Sequence, residues 1–125
     1  MWVKYNPNPV TGRSVEDCAI RALAKALDVD WETAYVKLAM NGFSMGDLPN
    51  SNIVIMSVLR QNNFKRVSIP NNCPDCYTIK EFSEDHPHGT YFLGTGNHTV
   101  AVVDGNYYDA WDCGNEVVAW AWKKS

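Results

Sequence analysis

No run of about eighteen apolar residues occurs in the chain, so no segment is expected to cross a membrane as a helix. The first residues, MWVKYNPNPVTGR, also lack the apolar core of a secretory signal. Positive charge is scarce. No basic cluster exceeds two residues and the formal net charge is −3, which leaves nucleic acid no electrostatic foothold. Nucleic acid is therefore not expected as a partner. Cysteine is sparse too, with four in 125 residues and two of those in one Cys-x-x-Cys. This is no disulfide framework for a chain of this size, and a reducing, cytoplasmic compartment is expected. Internal repeats, low-complexity tracts and linkers are missing. The length suits one domain, residues 1–125, able to bury a core without metal or disulfides.

What is there begins with helices and ends with strands. The first thirteen residues, with two prolines and a glycine, make an extended or looped entry. Ser14-Val15-Glu16-Asp17 reads as a capping box with Ser14 as N-cap, ahead of an alanine-rich helix, CAIRALAKAL. Asp30 caps a second helix, WETAYVKLAM, which should stop at Asn41-Gly42. Ser51 or Asn52 opens a third, IVIMSVLRQ. A strand over 65–69, a short helix over 78–85, and strands over 90–94 and 116–122 complete the order. This order predicts an α+β fold, with N-terminal helices packed on a C-terminal antiparallel sheet.

Residues 96–112, GNHTVAVVDGNYYDAWD, hold the chemistry. They read as two strands around Asp104-Gly105, a pair that tolerates the positive φ of a hairpin turn. A loop of Asp104-Gly105-Asn106 pairs Val103 with Tyr107 and sets His98 across from Asp112, roughly 5 Å apart at Cβ. A two-residue loop sets Trp111 opposite His98 and Asp109 diagonal to it. The three-residue loop, with Asp112 facing His98, is the expectation. Cys18 stands in the first turn of the first helix. There the unpaired N–H groups and the positive end of the helix dipole lower a thiol's pKa, and an imidazolium lowers it further. The Cys18 backbone N–H is well placed to be half of an oxyanion hole.

Asp17-Cys18 with its alanine-rich helix, and Gly96-Asn97-His98-Thr99-Val100-Ala101-Val102-Val103 followed by residues 107–112, resemble the papain-like cysteine peptidase superfamily. The likeness is to its compact bacterial and phage branches, such as bacteriocin leader peptidases and small cell-wall hydrolases. The resemblance implies a papain-like fold and a thiol hydrolase, whether peptidase, isopeptidase or amidase, working through an acyl-enzyme. It implies Cys18 as nucleophile, His98 as base and Asp112 as the residue that orients the histidine. The implied substrate is a peptide, a protein or an amide-linked conjugate, with no cofactor and no metal. Many relatives carry a glutamine upstream of the cysteine as the second oxyanion donor. None precedes Cys18 here, and Asn6 or Asn8 is the available substitute. The alternative from another class is a papain-fold module that binds without cutting.

Asn72-Cys73-Pro74-Asp75-Cys76 offers a rival centre. A Cys-x-x-Cys suits thioredoxin-like redox chemistry, but that needs a βαβ surround, and three helices precede it here. Zinc completed by two of His86, His88 and Cys113 is a further alternative, behind a proline-containing turn with incidental thiols. Trp120 and Trp122 alternate on the last strand and so share a face, as core or edge packing. Trp111, beside Asp112, could shield the histidine contact from water. Gly94-Thr95-Gly96 has no strand–glycine–helix context and is not a phosphate loop.

Overall fold

A computed structural model describes residues 1–10, 15–70 and 76–125. Among them the chain forms β1 (Trp2–Lys4), α1 (Cys18–Leu27), α2 (Trp31–Met45), α3 (Asn52–Gln61), β2 (Phe64–Val67), α4 (Ile79–Asp85), β3 (Thr90–Gly94), β4 (Thr99–Val103), β5 (Asn106–Asp109) and β6 (Trp120–Lys124). The fold is α+β. One six-stranded sheet runs in the order β1-β5-β4-β3-β6-β2. It is mixed rather than antiparallel throughout, because β1 pairs with β5 in parallel. The entry segment is drawn onto that edge by Tyr107 N–H to Met1 O at 3.1 Å, Trp2 Nε1–H to Asp109 O at 3.1 Å and Tyr5 N–H to Asp109 O at 2.9 Å. No described helix is long and apolar enough to cross a membrane.

Strand alternation divides the apolar side chains between two layers. Phe92 and Ala101 face α1, α2 and α3, where they meet Leu23, Leu38, Ile55 and Leu59. Tyr91, Leu93, Val100 and Val102 face the other way, onto Ile79 and Phe82 of α4. The alanines of α1 (Ala19, Ala22, Ala26) keep that helix close to the sheet, which brings its N-terminus beside the start of β4. That closeness positions the site.

Helix starts follow their caps. Asp30 accepts from Thr33 N–H, Ser51 from Val54 N–H, and Thr78 with Glu81 forms a reciprocal capping box. The expected Ser14 cap lies outside the described residues. The N-cap of α1 is Asp17, which makes no side-chain cap bond. α2 passes through Asn41-Gly42 and ends at Gly46, whose N–H returns to the carbonyls of Gly42 and Phe43. The last strand starts at Trp120, because residues just before it bond the α4 segment instead. Ile79 N–H donates to Glu116 O at 3.0 Å, and Val118 N–H to Tyr77 O at 2.9 Å.

The hairpin takes the shorter of its two registers. Val103 pairs with Asn106 and Val102 with Tyr107, so the loop is Asp104-Gly105 alone. Both residues have positive φ, 49° and 82°, the mirror-image geometry that matches strand twist. One residue fewer in the loop moves every later side chain by one place against β4.

Candidate active site

Cys18 is the first residue of α1, and His98 directly precedes β4. The helix start and the strand start meet edge on, and the His98 side chain is close enough to the Cys18 sulfur to hydrogen-bond it. Thr99, the next residue, lies beside the same sulfur. On its other side, His98 Nε2 lies 2.5 Å from Asp109 Oδ2. The imidazole thus stands between a thiol and a buried carboxylate.

Asp112, expected opposite His98, is elsewhere. With the two-residue turn it falls beyond the end of β5, exposed, where its Oδ1 accepts from the Tyr107 hydroxyl at 2.5 Å and from Gly114 N–H at 3.0 Å. It fastens the Asp112-Cys113-Gly114 turn. Asp109, the diagonal alternative of the shorter loop, is the histidine's partner instead, and it is 1% exposed.

The carboxylate of Asp109 is held from several sides. Its Oδ1 accepts from Arg21 Nε at 3.1 Å, Arg21 Nη2 at 2.8 Å and Ala110 N–H at 2.7 Å. Arg21 Nη1 donates in turn to Asp17 Oδ1, and Trp31 Nε1–H donates to Asp17 Oδ2 at 2.9 Å. Asp17 therefore spends its carboxylate on Arg21 and Trp31 rather than on the helix amides. Cys113, a buried free thiol, packs against both His98 and Asp109.

These surroundings set the proton affinities. Burial pushes the Cys18 thiol up, but the neighbouring His98 imidazole, the adjacent Thr99 and the His98 charge outweigh it, and the thiol ends below its ordinary value. Burial pulls His98 down, yet hydrogen bonds to Asp109, Cys113 and Cys18 and the Asp109 charge raise it well above the usual imidazole range. Burial raises Asp109, while hydrogen bonds with His98 and Cys113 and the charges of His98 and Arg21 hold it below the usual carboxylate range. Cys113 is pushed up to about 11, by burial first and by Asp109 next. The two shifts are opposite in sign, and both favour the ion pair of a Cys18 thiolate with a His98 imidazolium over the neutral pair.

No family model, no curated protein and no solved structure matches this chain. The site is defined by its own geometry.

An open cleft of about 710 Å³ exposes Cys18 and His98, with Asn6, Asn8, Asn50, Asn97 and Trp111 along it. The Trp111 ring lies 5.0 Å from the His98 ring, tilted by 40°, and is 47% exposed. It covers His98 even though Asp112 beside it does not touch the histidine. Asn6 and Asn8 do reach the cleft. Asn6 Oδ1 accepts from Asn8 N–H at 3.4 Å and Asn8 Oδ1 from Val10 N–H at 3.0 Å, so their NH₂ groups are what they can offer a substrate. A smaller space of about 190 Å³ borders Cys18 between Ile55 and Thr99, and a third of about 340 Å³ lies against Ile20, Trp31 and Tyr35.

The rival centre is not assembled among the described residues. Cys73 lies outside them, and Cys76 is disulfide-bonded. The His86 ring has its Nδ1 2.8 Å from Phe82 O and stacks on the Phe82 ring at 3.9 Å. The cluster that does gather is His98, Asp109 and Cys113, with potential donor atoms within 4.8 Å of one another. Direct contact of His98 with one Asp109 oxygen, and of Arg21 with the other, makes this a hydrogen-bonded cluster, and we assign no metal to it.

Sequence reasoning named Asp17 only in a capping box and beside the nucleophile, Thr99 only as strand and Cys113 only as a zinc candidate; it did not single out Arg21 or give any of the four its part in this site. Asp17 and Arg21 had a usable signal, since they stand at i and i+4 at the start of an alanine-rich helix. Thr99 and Cys113 had none.

Proposed function

We propose that the protein is a papain-like thiol hydrolase in which Cys18 is the nucleophile, His98 the acid and base, and Asp109 the residue that orients the imidazole. The single observation that carries this reading is His98 held between the Cys18 sulfur and the Asp109 carboxylate. The Cys18 thiolate attacks a carbonyl carbon and forms a C–S bond. The C–N or C–O bond then breaks, and the His98 imidazolium gives its proton to the leaving group. His98 next removes a proton from water, which attacks the thioester and releases the acid. Asp109 keeps Nε2–H fixed, so the nitrogen facing Cys18 is the one that exchanges protons.

The oxyanion formed in each half meets the backbone N–H of Cys18, at a helix start whose N-cap contributes no side-chain acceptor. An amide NH₂ of Asn6 or Asn8 is the second donor in this reading. The cleft is open rather than enclosed, which suits a peptide, a protein or an amide-linked conjugate.

The test is trapping with p-nitrophenyl acetate at neutral pH. A burst of p-nitrophenolate equal to the enzyme present, with acetyl mapped to Cys18 and absent in Cys18→Ala, is expected. No acetylation of Cys18 would contradict the reading and leave a module that binds without cutting.

A further inference from the structure

We infer that Arg21 is a positioning residue of this site: its guanidinium clamps one oxygen of Asp109 so that the other faces His98, and it supplies the fixed positive charge that lets a carboxylate stand there. The inference rests on the reading above that Cys18 is the reactive thiol.

Geometry comes first. Nε and Nη2 of Arg21 both bind Oδ1 of Asp109, at 3.1 and 2.8 Å, and Ala110 N–H joins them at 2.7 Å. That saturates Oδ1 and leaves Oδ2 for His98 at 2.5 Å. Rotation of the carboxylate would break three hydrogen bonds, so the imidazole partner is fixed in direction. Arg21 is itself immobile, because its remaining nitrogen is on Asp17 and Asp17 is held by Trp31. The side chains of Arg21 and Asp109 are 8% and 1% exposed, so water contributes little to holding either.

Charge comes second. An isolated carboxylate buried to this degree would rather take up a proton than stay ionised. Arg21 prevents that, and it also limits how far Asp109 raises the basicity of His98. Among the described residues, the charged and titratable groups facing His98 are Asp109 from β5, Cys18 from α1 and Cys113 from the following turn, with Arg21 and Asp17 behind Asp109. Glu16 and Glu116 lie on the cleft. Arg21 is the lone fixed cation among these.

The readout is the pH profile of Cys18 alkylation by iodoacetamide, whose limbs report the thiol and the imidazole and which a mere strut would leave in place. Arg21→Met removes charge and fork together. The limb that reports the thiol is expected to move to higher pH by roughly one unit, because the fixed cation and the ionised Asp109 that supports the imidazolium are both lost, and the plateau rate to fall about tenfold. Arg21→Lys restores the charge without the fork, so that limb should return close to wild type while the plateau stays at least about fivefold low. A thiol limb unmoved in folded Arg21→Met, or a wild-type plateau in Arg21→Lys, would overturn the inference. If Arg21→Met does not fold, Arg21→Gln, uncharged but able to donate, is read for the same limb shift, and its absence counts against the inference equally. Failure of wild-type Cys18 to alkylate selectively would instead contradict the hydrolase reading, so the two failures are distinguishable.

Discussion

At the scale of single residues, the two aspartates after the turn are chemically alike and differ in what surrounds them. Asp109 is buried against His98 and Arg21, whereas Asp112 is exposed and fastens a turn. Asp109→Asn is expected to slow Cys18 alkylation at least about tenfold, through loss of the charge that supports the imidazolium. Asp112→Asn should alkylate within about twofold of wild type, because Asp112 bonds Tyr107 and Gly114 and does not touch His98. Rates from timed mass spectrometry separate the two, and equal slowing would contradict the assignment. Acid stability gives an independent check. Asp109 has its folded pKa below the ordinary value, so its contribution is present above about pH 4 and is lost as pH falls through the folded value. The Tm gap between wild type and Asp109→Asn should therefore be widest near neutrality and narrow below about pH 4. A gap that stays constant to pH 2.5 would contradict this.

At the scale of elements, most helices and one strand were legible because local chemistry decides them. Asp30, Ser51 and Thr78 each cap where their side chains accept an N–H, and β3 keeps the bounds its pattern implies. The hairpin was legible as a hairpin but not in register. Asp104-Gly105 serves a two-residue loop as readily as the start of a three-residue one, and the choice is made by pairing of Val103 with Asn106. That one-residue difference is what turned Asp112 into Asp109. β1 was unreadable as a strand, since three residues before a proline-bearing stretch pair only because the β5 edge is available. β3 also carries a constraint no pattern announces. A Cβ added at Gly94 would lie 2.1 Å from Trp120, whose ring stacks on Phe92 across the same layer. Gly94→Ala should then cost about 2–3 kcal/mol, seen as a lowered midpoint in urea with an unchanged slope. A midpoint equal to wild type would mean that Trp120 has room to move.

At the scale of the whole molecule, the site is where α1, the start of β4 and the end of β5 converge, and the alanine face of α1 is what permits it. Cys18 and His98 could be picked from the sequence because each sits at the mouth of an element, where backbone groups and side chains are left over for chemistry. The chain from Trp31 through Asp17 and Arg21 to Asp109 and His98 could not, because it depends on how four elements dock. Reactivity at Cys18 should be a property of that assembled whole. Of the two free thiols among the described residues, Cys113 is 1% exposed and pushed up to about 11, while Cys18 is accessible and lowered. The direct measurement is site-resolved mass spectrometry after brief iodoacetamide treatment near neutral pH, on wild type and His98→Ala under matched conditions. Rapid alkylation confined to Cys18, slowed at least about tenfold by His98→Ala, is expected. Alkylation of Cys18 no faster than of Cys113, or a rate indifferent to His98, would contradict a Cys18–His98 catalytic pair.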